Sequence, residues 1–276
     1  MKGALRTNWP DFSSKGQVLT HRGDPFWPPI AVAVIASLSA GLVGGVLQHP
    51  LDLLRLFDAG VCAQILSHTF SPGGQPLPLC SRDTGIYLGA LLTLSWLAAH
   101  RNGRYSGTPS RATILTCLAL IAVMGIDGFN SLFTDLGLPH LYAPSNVLRL
   151  VTGVGAGSAL VALLAPVFAH TFSGAVPQRS QGAPASRRLL FLAFLGIAVA
   201  LVLLQSPWLA LPIAVLSSAG VFLIVALLNT IFLHGVRGLL SQNIATLQNP
   251  NPILIQLIAI TELGLLGMLH LALQLA

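Results

Sequence analysis

The chain has 276 residues, of which 54% are hydrophobic and only 8% charged, against about 25% charged in an average soluble domain. So few charges cannot cover a water-soluble fold of this length, and lipid is the medium that much of the surface must face. The net charge of +6 does not indicate nucleic acid, because the basic residues lie in short segments between apolar runs, as membrane-orientation signals do.

Residues 1–28, which include Asp11, Lys15, His21 and Asp24, are polar or mixed. They predict a cytosolic N-terminal segment rather than a signal peptide. Apolar runs follow at about 30–48, 84–100, 112–129, 148–170, 188–206, 209–233 and 252–275. Most approach the ~20 residues needed to cross a hydrocarbon core. The fold class predicted is an all-α, polytopic transmembrane bundle of about seven spans. Ser206-Pro207-Trp208 divides the fifth span from the sixth, since one helix through both would measure roughly 68 Å, about twice a bilayer. Three further divisions follow: a membrane domain over 29–170 with two long loops, a cytosolic linker over 171–187, and a C-terminal membrane region over 188–276.

With the N-terminus inside, eleven of the 14 Lys and Arg residues fall on the cytosolic side, leaving Arg55, Arg82 and Arg149 outside. The alternation satisfies the positive-inside rule loop by loop. It predicts a bacterial-type plasma membrane location with the C-terminus outside, and puts both long loops on the outer face. The first loop, 49–83, predicts a short helix from Leu51 to Ser67, interfacial or capping the bundle, then a turn at Ser71-Pro72-Gly73-Gly74. The second, 130–147, is rich in Pro, Asn and Asp.

Cys62, His68, Cys80 and Asp83 lie within 22 residues of the first loop. Four such side chains suit a tetrahedral zinc ion. Two other readings stand beside that one. Cys62 and Cys80 suit a disulfide on an oxidising face, which for a loop of this length contributes roughly 3 kcal/mol. Asp83 alternatively caps the second span at the positive end of its dipole.

Val61-Cys62-Ala63-Gln64, Ser67-His68-Thr69-Phe70 and the run from Pro78 through Cys80-Ser81-Arg82-Asp83-Thr84-Gly85 to Gly89 resemble the domain-of-unknown-function-2085 family of predicted membrane proteins. Asp127-Gly128-Phe129-Asn130 and Asn146-Val147-Leu148-Arg149-Leu150-Val151-Thr152-Gly153 resemble its second stretch, so the likeness covers about residues 55–165. The family commonly shows a Cys-His-Gln start and a Cys-x-Arg-Cys-Thr-Gly centre. Here Ala63 stands where the His is common, and Asp83 where the second Cys is common. The resemblance implies a membrane scaffold and carries no established activity.

Asp127 near the outer end of the third span and Arg149 at the start of the fourth predict an ion pair, since an ionisable group at membrane depth needs a partner or water. Arg82, Asn130 and Asn146 would line the same outer mouth, with His140 a possible addition. Glu262, mid-way along the last span, predicts either structural hydrogen bonding, to Gln256, Thr261 or Asn229, or a part in proton or ligand handling. Gly153, Gly155, Gly157 and Ser158 suit close helix packing, and Cys117 a small apolar core position.

No nucleophile–base pair, carboxylate pair or phosphate loop stands out. The expected function is an outer-face polar site serving binding, scaffolding or an accessory-subunit role. Its partners would be the bilayer and other membrane subunits, not nucleic acid. The alternatives are a membrane-embedded enzyme acting on a lipid or isoprenoid-like substrate, and a small-solute or proton transporter.

Overall fold

The computed structural model describes residues 50–99, 109–173, 185–240 and 252–275. The expected first span, the N-terminal segment and most of the 171–187 linker lie outside them. The described residues form seven α-helices: α1 (Pro50–Asp58), α2 (Ser81–Ala99), α3 (Arg111–Asp135), α4 (Asn146–Ser173), α5 (Ala185–Leu203), α6 (Pro207–Leu240) and α7 (Pro252–Leu275). No strand occurs among them. Four are long and apolar enough to cross a membrane, at Arg111–Asp135, Asn146–Val167, Ala185–Leu203 and Pro207–Leu233. Helix α5 ends at Leu203 and α6 starts at Pro207, the division expected from the length of the two runs together.

The centre of the bundle is α2, packed most closely on α4 and next on α6. Glycines set the α2–α4 distance. A Cβ on Gly85 or Gly89 would meet the backbone at Leu150 and Val154, and one on Gly153 or Gly157 would meet the carbonyls of Arg82 and Ile86. The two helices therefore run side by side in the same direction, backbone against backbone, as small residues allow. Gly155 turns the other way and faces Leu120 of α3. Cys117 is buried on α3, as its apolar reading predicted.

Helix α1 is shorter than expected. It stops at Asp58, whose carbonyl accepts the N–H groups of Val61 and Cys62, each at 3.0 Å. Gln64 then takes a positive φ of 53°, which no continuing helix permits. One face of α1 packs on the bundle, while Leu56 stays exposed. Leu51 and Leu54 are buried with Leu88, Leu150 and Ile213, and Gly60 abuts Leu266 of α7. The Asp58 carboxyl, 1% exposed, accepts a hydrogen bond from Ser218 Oγ at 2.6 Å. Ser218 lies about 16 Å along α6 from its first residue, at 1.5 Å per residue, so α1 is wedged between α6 and α7. The expected second loop is also shorter, because α3 continues through Asp135 and takes in Asn130.

Candidate functional site

The polar residues of the first loop gather at the end of the bundle where α2 and α4 begin and α3 finishes. Residues 59–80 are held there from inside. Leu79 is fully buried against Val221 and Leu227 of α6, and the Gln64 amide donates to the carbonyls of Arg55 at 2.8 Å and Pro78 at 2.9 Å. That staple carries Cys62 to the first turn of α2, where Cys80 and Asp83 wait.

Cys62, Cys80 and Asp83 have their ligand atoms within 4.8 Å of one another. The backbone N–H groups of Cys80, at 3.2 Å, and Gln64, at 3.4 Å, both point to Cys62 Sγ. The Cys80 thiol donates to Asp83 Oδ2 at 3.2 Å. The sulfurs are adjacent yet both cysteines are free, so the disulfide expected from their spacing is not formed. The two thiols hold their protons unequally. Their mutual hydrogen bond, then burial, keeps Cys62 above its ordinary pKa, and the same bond draws Cys80 below its own. Asp83 does not serve as the cap of α2. It sits in the first turn, and Cys80 takes the capping position, its carbonyl accepting from Thr84 N at 2.8 Å.

His68 does not join this trio. Its Nε2 lies 3.2 Å from Asp135 Oδ1, at the far end of α3, and burial followed by the Arg149 charge lowers its pKa. The four-ligand set expected from spacing is thus a three-ligand set. The α1–α2 loop places His68 instead among the residues lining a cavity of about 230 Å³, with Gln64, Arg82, Gly128 and Ser131.

Arg82, which lines the cavity, forms the ion pair with Asp127, at 2.8 Å between Nη2 and Oδ2. The expected Asp127–Arg149 pair is not made. Arg149 instead donates from Nε to Ser131 Oγ at 3.2 Å and from Nη1 to Asn146 Oδ1 at 2.8 Å. Arg82 Nη2 reaches the same Ser131 Oγ at 3.1 Å, and Tyr142 donates its hydroxyl to Asp127 Oδ1 at 2.9 Å. The parallel α2–α4 packing is the cause, because it brings Arg82 level with the α4 backbone beside α3. Asn130 works as a loop anchor. It accepts from Leu141 N at 2.7 Å and donates to Tyr142 O at 2.9 Å. Asn146 donates to Ser67 O at 3.2 Å. His140 is exposed, with Nδ1 3.3 Å from the carbonyl of Leu138 two residues earlier.

Ser131, Asp135, Tyr142 and Asp58 were not singled out from the sequence, and Gln64 stood there only as part of the family-like motif from Val61. A signal existed for two of them, since Asp127, Ser131 and Asp135 recur every four residues and share one helix face. Glu262 lies away from this site. Its Oε2 accepts from Asn229 Nδ2 at 2.8 Å, on the exposed surface of α6 and α7.

The family model described as "Predicted membrane protein (DUF2085)" matches residues 62–163. An uncharacterized protein of Methanothermobacter thermautotrophicus is 40% identical over 110 residues, which span 40% of this chain and 88% of the relative. The chain belongs to the DUF2085 family. No solved structure matches it. Every residue of the cavity and of the Arg82–Asp127 network lies within the matched region or one residue before it, whereas α5, α6 and α7 lie beyond it. The family segment therefore supplies the polar site, and the C-terminal helices supply the apolar wall against which the 59–80 loop is pressed.

Proposed function

We propose that this membrane protein binds a small polar ligand or ion in the cavity between the 61–68 segment and α3, on the outer face of a bacterial-type plasma membrane. The observation that carries the reading is the convergence of Arg82, Gln64, His68, Cys80, Asp83 and Asp135 on one space of about 230 Å³. A lipid-embedded chain with 8% charged residues would not concentrate so many polar groups without use, because each costs free energy unless paired or hydrated. The distribution of basic residues along the chain supports the outer-face placement. The role is binding, within a larger membrane assembly or alone.

Filling the cavity tests this. Gly128 lines it, and a Cβ there meets nothing nearer than the Arg82 guanidinium at 4.0 Å. Gly128→Leu should fold normally and lose whatever small molecule or ion copurifies with the wild type in mild detergent, read by native mass spectrometry. A bound species retained at full occupancy in Gly128→Leu, or none bound to the wild type, rejects the cavity as the site.

A further inference from the structure

The cavity ends on a set of atoms suited to a particular class of cation. From these atoms we infer that Cys62, Cys80 and Asp83 bind one zinc-class divalent ion through three protein ligands, with the fourth position open to the cavity. This deepens the cavity reading and rests on it for the open position alone.

Distance is the first argument. A tetrahedral zinc ion with Zn–S bonds of about 2.3 Å holds its sulfurs about 3.8 Å apart. The three ligand atoms already lie within 4.8 Å of one another, and Cys80 Sγ is 3.2 Å from Asp83 Oδ2.

Support around the ligands is the second. Cys62 Sγ receives two backbone N–H groups, from Gln64 and Cys80, and such contacts orient a metal-bound sulfur and stabilise its charge. The backbone that supplies them is itself fixed, by the Gln64 staple and by Leu79 with no exposed surface. Binding exchanges the two thiol protons for the cation. Three anionic ligands on a divalent ion leave one net negative charge, which the first turn of α2 and the neighbouring Arg82 favour electrostatically.

Ligand chemistry decides the class. Two thiolates with one carboxylate select zinc or a similar borderline-soft ion over magnesium or calcium, which take oxygen. The open position follows from His68, which stays outside the three-ligand set and pairs with Asp135 at 3.2 Å. A site of three protein ligands with one exchangeable place can bind and polarise a small ligand, unlike a closed structural site.

The test uses the full chain, reduced and purified in detergent, with zinc measured by mass spectrometry and cobalt(II) as a spectroscopic probe. One zinc per chain is expected, together with an intense sulfur-to-cobalt absorption. Cys62→Ser and Cys80→Ser should abolish both signals, and Asp83→Asn should weaken zinc binding about tenfold or more, while His68→Ala retains full metal. Thermal unfolding of each variant separates ligand loss from misfolding. If Cys62→Ser fails to fold, the wild-type cobalt spectrum and the Asp83→Asn titration carry the test. Absence of uptake by wild type whose thiols are counted as reduced overturns the inference. So does full zinc in a Cys62→Ser, Cys80→Ser double variant. Metal loss in folded His68→Ala overturns the open position, replacing it with a closed four-ligand site. The Gly128→Leu result is read on bound species other than this metal ion, so it judges the cavity separately.

Discussion

Arg82 Nη2 lies 2.8 Å from Asp127 Oδ2, tying the first turn of α2 to the second half of α3 through a carboxylate that is 1% exposed. Removing one partner of such a pair leaves a charge without compensation, which costs about 3–5 kcal/mol in buried settings. Arg82 keeps 20% side-chain exposure, so Arg82→Ala should fall near the lower end. A double swap, Arg82→Asp with Asp127→Arg, should recover part of the thermal stability in detergent. The swap of Asp127 with Arg149 should recover none, and recovery there would mean that the pairing is wrong.

Asn130 spans the turn after α3 with an acceptor for Leu141 N and a donor for Tyr142 O. Asn130→Ala should destabilise by about 1–3 kcal/mol, the loss of two hydrogen bonds worth about 0.5–1.5 kcal/mol each. Asn130→Asp should do no better, because it sets a carboxylate against the Tyr142 carbonyl. Proteolysis of the 136–145 turn under native conditions would report the loosening directly, and unchanged cleavage in both variants would contradict the anchor.

Two glycines on α4 should behave differently although they are two residues apart. A Cβ at Gly157 meets the Ile86 carbonyl, whereas one at Gly155 meets a flexible Leu120 side chain at 3.3 Å. Overpacking costs typically about 1–3 kcal/mol, so Gly157→Ala should lower the unfolding temperature and Gly155→Ala should leave it nearly unchanged. Equal effects would argue against the close α2–α4 approach.

Asp58 gives a pH dependence with a definite sign. Burial pushes its carboxyl up to about 7 from 3.8, against the opposing hydrogen bond from Ser218 and with help from Asp83. As pH rises through that window, the unfolded chain releases a proton that the folded chain keeps. Stability therefore falls between those two values and levels off above about 7. Asp58→Asn should remove this slope and be more stable than wild type at alkaline pH. The difference between the two unfolding-temperature profiles isolates Asp58, and a flat difference would refute the assignment.

Much of the fold was legible from local properties. Hydropathy marked the helices because a lipid-facing segment must be apolar along its whole length. The α5–α6 break at Ser206-Pro207-Trp208 was legible from length, because one helix through both runs would measure about twice a bilayer. The motif residues from Cys62 to Arg149 were legible as a family pattern and as a cluster of metal-binding types. Asn229 was named as a partner for Glu262, and the structure makes that bond.

Partner choice within the site was not legible, because it depends on which backbones touch. The glycines of α2 and α4 bring those helices into parallel contact, and that places Arg82, not Arg149, on Asp127. The early stop of α1 at Asp58 and the positive φ of Gln64 turn the loop so that Cys62 meets Cys80 while His68 reaches Asp135. The sequence alone determined a helical membrane protein of this family, with its polar types gathered in one region. Only the tertiary structure decided which three of them face one point and which line the cavity beside it, because direction is a property of packed backbones and not of spacing.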